Sequence, residues 1–309
     1  MFSNVASPDD VRARLAGCIA PIVTPFDATG ALSMNGLAAI IDFLAAAGVS
    51  GIVPGDLVGE YPALSLAERQ GLIEGSVKFG GGRCVVIALV SHASVDTAIE
   101  LARFAERAGV DVIKLALPYP YAPSDAMILE YIRRVGGSTG VPFIVESSDE
   151  LPIPLSVIAT LCADPRFVGV EEMGSDLGRL HRLHREFSGR LALLPAGDPA
   201  LLVLGLLGAP GLITAECNFA PAFMREFLDA CRRRDLDRAL LLFDRRTQYR
   251  DLFREGLGRA LFTPWAKAAM ELLGLPVGKP RLPHEPLSPG EVSLLRKALR
   301  EQFGLSVPA

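Results

Sequence analysis

The sequence predicts an α/β fold, a (β/α)8 TIM barrel with a C-terminal helical appendage. Eight short apolar runs alternate with eight longer, helix-like stretches. The runs are continuous in Val, Ile and Leu rather than alternating with polar residues, which is the signature of strands covered on both faces. The eight units together occupy roughly 220 residues, the size of one such barrel. A doubly wound open sheet is the alternative for the same pattern.

Taken in order, the runs fall at 17–23, 50–54, 84–90, 111–117, 142–146, 167–171, 191–194 and 211–215, and each is followed by a helix. The helices are expected at 32–47, 65–79, 94–108, 124–135, 154–162, 174–187, 198–207 and 220–234. The second opens with Ser65 and Glu68 in capping-box spacing, so a hydroxyl and a carboxylate can each satisfy a backbone N–H. Beyond Arg234 the periodicity stays helical at 236–253, 260–273 and 288–303, the last opening with Ser-Pro-Gly-Glu. The Pro- and Gly-rich segment 274–286 reads as an extended connector. The division expected is a barrel over 1–234 and a loosely linked appendage over 235–309, too small to be an independent enzyme domain.

Composition narrows the function. Half of the 309 residues are hydrophobic, enough for a large core, and 31 basic against 35 acidic residues leave a net charge of −4. That argues against a nucleic-acid binder. The run Arg232-Arg233-Arg234 fits a helix C-terminus, where cations offset the macrodipole. The greasiest stretch, 191–217, is broken by Pro195, Asp198, Pro199, Pro210 and Glu216 and makes a poor membrane span. No secretory signal is visible at the N-terminus. Five scattered cysteines without a CxxC pair suggest reduced thiols in a cytoplasmic protein.

In a barrel of this kind the working residues lie at the C-terminal ends of the strands. Those ends offer Thr24-Pro25-Phe26, then Asp56-Leu57-Val58-Gly59-Glu60, Ser91-His92 and Pro118-Tyr119-Pro120-Tyr121. Glu146, Glu171-Glu172, Gly197-Asp198 and the segment 214–218 complete the ring.

These residues resemble the family of dihydrodipicolinate synthase and N-acetylneuraminate lyase. The likeness lies in Thr24-Pro25-Phe26, in Gly59-Glu60 followed by Leu64-Ser65-Leu66-Ala67-Glu68-Arg69, and in 98–108 leading to Pro118-Tyr119. It continues in Gly197-Asp198, in Gly211-Leu212-Ile213-Thr214 with Asn218 and Pro221, and in 264–275. Each is a weak signal; their order and spacing make the likeness specific over nearly the whole chain. The resemblance implies a homotetramer built from tight dimers and Schiff-base chemistry on pyruvate. A lysine ending the sixth strand would form the imine, and a tyrosine ending the fifth would shuttle the proton.

The chain departs from that pattern where the chemistry is done. Glu171 stands at the lysine position, in Gly169-Val170-Glu171-Glu172, and Glu146 follows Val145 where the tyrosine is expected. Leu57-Val58 align with a Thr-Thr pair, Tyr119-Pro120 with a Tyr-Tyr pair, and the carboxylate-binding arginine has no counterpart in 147–154. The frame residues Gly59, Glu60, Tyr119, Asp198 and Ile213 carry over. A carboxylate cannot form an imine, and like charges ~4 Å apart repel by about 4 kcal/mol at an effective dielectric near 20.

Three replacements follow. Of the five lysines, Lys114 alone falls within a strand, and an inward Lys114 would demand a carboxylate such as Glu146 or Glu171; it could be a relocated imine lysine or a structural ion pair. Asp56, Glu146 and Glu171 could hold a divalent ion such as Mg²⁺ or Mn²⁺; no other cofactor is expected. Glu146 and Glu171 could act as an acid–base pair, raising one another's pKa. The reading favoured is this last: a lyase-type enzyme on a small, 2-oxo-acid-like metabolite, with Glu146, Glu171 and Lys114 catalytic. Asp56, Leu57, Val58, Tyr119, His92, Asp198 and Ile213 are expected to bind substrate. A non-catalytic small-molecule-binding barrel competes with it. His181 and His184 are expected on the outside, and Phe262 and Trp265 to pack the appendage on the barrel.

Overall fold

The computed structural model describes residues 7–117, 123–254 and 262–308. Eight strands form the wall: β1 (Gly17–Ala20), β2 (Gly51–Ile52), β3 (Val85–Leu89), β4 (Val112–Leu115), β5 (Phe143–Ser147), β6 (Phe167–Glu172), β7 (Ala192–Pro195) and β8 (Gly211–Ile213). Every ladder between neighbours is parallel, from β1 on β2 round to β6 on β7, and β1 also pairs with β8, Cys18 standing opposite Leu212. β7 packs beside β8, so the sheet closes into the expected TIM barrel.

The helices are α1 (Pro8–Arg14), α2 (Met34–Ala46), α3 (Leu66–Gly80), α4 (Val95–Ala108), α5 (Asp125–Gly136), α6 (Leu155–Leu161), α7 (Leu177–Phe187), α8 (Asp198–Leu206) and α9 (Pro221–Arg232). Of these, α2 to α9 each follow one strand and cover the wall. After them come α10 (Leu236–Arg254), α11 (Phe262–Leu272) and α12 (Pro289–Glu301).

Local chemistry explains the boundaries. The Ser65 hydroxyl accepts from the Glu68 N–H at 3.2 Å, and the Glu68 carboxylate accepts from the Ser65 N–H at 2.9 Å, the reciprocal box read from the sequence. Ser33, Ser94, Ser124 and Asp176 cap α2, α4, α5 and α7 from one side only, each side chain accepting from a first-turn N–H. The first two strands are shorter than their apolar runs because Pro21 and Pro54 lack the N–H that the ladder needs. α7 starts three residues later than expected. The Gly174 N–H donates to Glu172 at 2.8 Å and the Ser175 N–H to Asp149 at 2.8 Å, holding this stretch as a loop.

Two apolar layers result. Outward residues of the strands pack against the helices in one large core. Inside the barrel Ile19, Val85, Val112, Ile144, Val168 and Leu194 fill the lumen, and Val11 and Leu15 of the N-terminal segment plug it from below. α1, with its Ser7–Asp10 capping box, was not expected from sequence; seven mostly polar residues carry too little periodicity to announce a helix.

The appendage is not loosely linked. Arg246 of α10 lies 2.5 Å from Asp198 and 3.1 Å from Glu216, Lys267 of α11 lies 2.7 Å from Glu60, and Arg281 lies 2.5 Å from Glu68. Trp265 is buried in the large core and the Phe262 ring lies 4.3 Å beneath the Arg250 guanidinium. The connector docks too: the Phe26 N–H donates to the Val277 carbonyl at 3.1 Å. Gly278, at φ +64°, must be glycine, since a Cβ there would meet the Phe26 carbonyl oxygen at 2.0 Å.

Candidate active site

Strand alternation decides what enters the lumen. On β4, Ile113 and Leu115 pack outward while Val112 and Lys114 point in. On β5, Phe143 and Val145 face the helices, and Ile144 and Glu146 the interior. On β6 the register slips between Phe143 and Ile144 of its partner, after which Val170 faces out and Glu171 in. β4 and β5 each carry an apolar floor residue with a charged residue two positions on, toward the C-terminal end, whereas on β6 the irregularity makes the step three, from Val168 to Glu171.

The charged residues converge. The Lys114 ammonium lies 2.8 Å from Asp56, 2.7 Å from Glu146 and 2.5 Å from Glu171. Its side chain is 1 % exposed, against 7 % for Asp56, 4 % for Glu171 and 19 % for Glu146, so Glu146 is the member facing the mouth. Asp56 arrives from the turn after β2; its other oxygen accepts from the Leu57 N–H at 2.7 Å.

One ammonium cannot neutralise three carboxylates. Burial works against the charged lysine, but Asp56, Glu146 and Glu171 outweigh it and hold its pKa well above the usual range. Glu171 is pushed up to about 8 by burial, and Glu146 and Asp56 add to this against the pull of Lys114. The cluster thus favours a charged lysine and a proton on Glu171.

The alternative of a divalent ion has a competitor in the structure. Asp56, Glu146 and Glu171 do approach one point, yet the Lys114 Nζ occupies it, and no metal-holding group of His, Cys, Asp or Glu occurs among the described residues.

The other expected residues that the structure describes do not join this cluster. Leu57 is 60 % exposed, and Val58 is half-buried beside it. His92 is exposed, its Nδ1 accepting from the Ser94 N–H at 3.0 Å. Asp198, expected to bind substrate, is engaged by Arg246 and Arg250 instead. Ile213 belongs to the lumen floor. Tyr119, with its neighbours at 118–122, lies outside the described residues. His181 and His184 are on α7, away from the lumen.

Two groups were missed from sequence. Tyr61 starts a 3-10 turn just after Glu60, and its phenol is pushed up by burial and then by Glu146 and Asp56. Arg179 lies 2.9 Å from Glu172, which points away from the lumen, and donates to the Ser147 hydroxyl at 2.9 Å. Neither carries a local signal, because its partners are set by the packing of loops and helices on the barrel.

A model of the dihydrodipicolinate synthetase family matches residues 14–302. The chain belongs to this family. The 4-hydroxy-tetrahydrodipicolinate synthase 1 of Streptomyces coelicolor is 31 % identical over 280 residues, covering 89 % of this chain and 90 % of the relative. The 4-hydroxy-tetrahydrodipicolinate synthase of Methanopyrus kandleri is also 31 % identical, over 93 % of this chain and 96 % of its own. Among solved structures, a prophage protein of the dihydrodipicolinic acid synthase family from E. coli K12, in complex with pyruvate, superposes with a TM-score of 0.85. It is 26 % identical and the match covers 93 % of this chain and 98 % of that one. Dihydrodipicolinate synthase from Oceanobacillus iheyensis gives 0.84 at 26 % identity, covering 96 % and 100 %. The dihydrodipicolinate synthetase family is one of lyases and synthases, and this member carries the lyase-type barrel. No helix among its described residues is long and apolar enough to cross a membrane.

Proposed function

We propose that the protein is a lyase-type enzyme that works on a small, 2-oxo-acid-like metabolite by acid–base chemistry, with Glu171 standing where relatives carry their imine lysine. The reading rests on one observation: the Lys114 ammonium lies within 2.8 Å of three carboxylates at the C-terminal end of the barrel. Glu171, protonated near neutrality, gives its proton to a departing oxygen. Glu146, the most open of the three, takes a proton from the adjacent carbon or hydroxyl. One carboxyl loses the proton the other gains, so the cluster's net charge is unchanged through the step. Lys114 stays charged throughout and holds both groups in place. The substrate's own carboxylate faces away from Glu171, since about 4 kcal/mol of repulsion would oppose it there.

A second reading has its own support. The Lys114 Nζ lies 2.5 Å from Glu171, so an amine from β4 reaches the neighbourhood of the position aligned with the family lysine. An imine on Lys114 would first require losing a proton that three carboxylates retain.

One experiment separates these. The protein is incubated with pyruvate and a panel of small 2-oxo and hydroxy acids, product formation is followed by NMR, and parallel samples are reduced with borohydride and weighed. Turnover without an adduct, lost in Glu146→Gln and Glu171→Gln while both stay folded, supports acid–base chemistry. An adduct on Lys114 transfers the reaction to the imine. Binding without any product makes the chain a binding barrel.

A further inference from the structure

Asp56 reaches Lys114 from a turn rather than from a strand, and the anchors of that turn come largely from outside the barrel wall. Within it the Glu60 N–H donates to the Leu57 carbonyl at 3.0 Å and the Tyr61 N–H to the Asp56 carbonyl at 3.3 Å, so the near and far ends move as one body. Glu60 sits at φ +62°, a left-handed conformation that costs a residue with a Cβ about 1 kcal/mol and persists only when its surroundings hold it. Its carboxylate is fully buried. One oxygen lies 2.7 Å from the Lys267 ammonium of α11, and the other accepts from the Arg281 N–H at 2.7 Å.

The contacts continue on either side. The Thr263 hydroxyl of α11 donates to the Val58 carbonyl at 3.1 Å, and Thr24 donates to the Gly59 carbonyl at 2.5 Å. Lys267 is itself buried, donates to the Lys279 carbonyl at 3.2 Å and stands 4.2 Å over the Phe26 ring. Two carboxylates, Glu60 and Asp56, thus occupy opposite ends of one rigid turn. Each is held by a buried lysine from a different part of the chain.

We propose that Glu60 and Lys267 are positioning residues: their buried ion pair fixes the 56–60 turn so that the Asp56 carboxylate is delivered to Lys114, which makes α11 part of the active site. The inference rests on the reading of Asp56, Lys114, Glu146 and Glu171 as the working cluster. An ion pair that only stabilised the fold would leave the cluster's titration untouched. Losing Asp56 from the cluster would not, because Glu171 faces Lys114 from β4, Glu146 from β5 and Asp56 from the turn. Withdrawal of Asp56 removes a like charge and turns Lys114 fully onto the remaining two carboxylates. Both changes lower the Glu171 pKa.

The test follows the Glu171 carboxyl by 13C NMR of the full-length, glutamate-labelled protein, with thermal unfolding alongside. In Lys267→Met the Glu171 midpoint falls by about one pH unit, and in Lys267→Arg it returns toward the wild-type value. Glu60→Gln, which keeps the bond from the Arg281 N–H and the side-chain volume, gives the same reading should Lys267→Met fail to fold. An unchanged midpoint beside a lowered Tm overturns the proposal and leaves a purely structural pair. Asp56→Asn is the control: if it too leaves Glu171 unmoved, what fails is the cluster itself rather than the positioning.

Discussion

Lys114 and Glu171 lie 2.5 Å apart although their strands do not pair: β5, carrying Glu146, stands between β4 and β6. The ammonium therefore reaches past its neighbouring strand, and the carboxylate of that strand closes over it from the mouth. Lumen curvature makes this contact, since side chains from alternate strands of a barrel meet at one level. A cation buried among three carboxyl groups is a stable electrostatic arrangement only as a whole. Taking any member away exposes what the others were compensating.

Lys114→Met removes the only cation of the cluster and leaves three carboxylates facing one another in a near-dry space. The expected loss is about 3–5 kcal/mol in urea unfolding, as for other buried ion pairs broken from one side. Lys114→Met combined with Glu171→Gln recovers part of it. A loss below about 1 kcal/mol would mean the carboxylates are solvated in a way these contacts do not allow.

Glu171 imposes a pH dependence of unusual sign. Its folded value of about 8 stands against an ordinary 4.5, so between the two the folded chain binds a proton that the unfolded chain has released. This contribution is full below about pH 4.5, declines as pH rises, and is lost above about pH 8. Unfolding free energies measured across that range should fall more steeply with pH for the wild-type protein than for Glu171→Gln. Parallel profiles would show that Glu171 is ionised throughout.

Glu171→Lys places an amine where relatives are expected to keep theirs. Two ammonium groups at this distance depress one another's pKa, so a neutral amine becomes available near pH 7. Incubation with pyruvate and borohydride should then give a reduced adduct that peptide mapping assigns to position 171. An adduct appearing at Lys114 instead would show that strand four owns the reactive position.

Asp198→Ala tests the other buried network. The carboxylate is held by Arg246 and Arg250, and its loss leaves both guanidinium groups sharing Glu216. A destabilisation of about 3–5 kcal/mol is expected, with new proteolytic cleavage in α10 as the appendage loosens. Cleavage unchanged from wild type would mean that Trp265 and the surrounding apolar contacts dock the appendage unaided.

Much of the architecture is local information. The apolar runs, Ser65 with Glu68 and the serines before the other helices place strands and helices to within a few residues, because caps and periodicity act over one or two turns. The family frame was legible in the same way, through Gly59-Glu60 and the motifs around Gly211. So was the presence of Glu171 in Gly169-Val170-Glu171-Glu172, the residue on which the proposed chemistry turns.

Tertiary structure alone decided which way these residues look. A strand covered on both faces is apolar on both, so nothing in its sequence tells lumen from helix side; Lys114 could have pointed either way until β4 was placed between β3 and β5. The Asp56–Lys114 contact joins residues 58 apart in the chain, and Lys267 meets Glu60 only because α11 folds back over the barrel mouth. Asp198 illustrates the same limit, since its helix start was foreseeable and its two arginines, one strand and one helix further on in α10, were not. Charge pairing is a property of distance in space, and closing the barrel is what sets those distances.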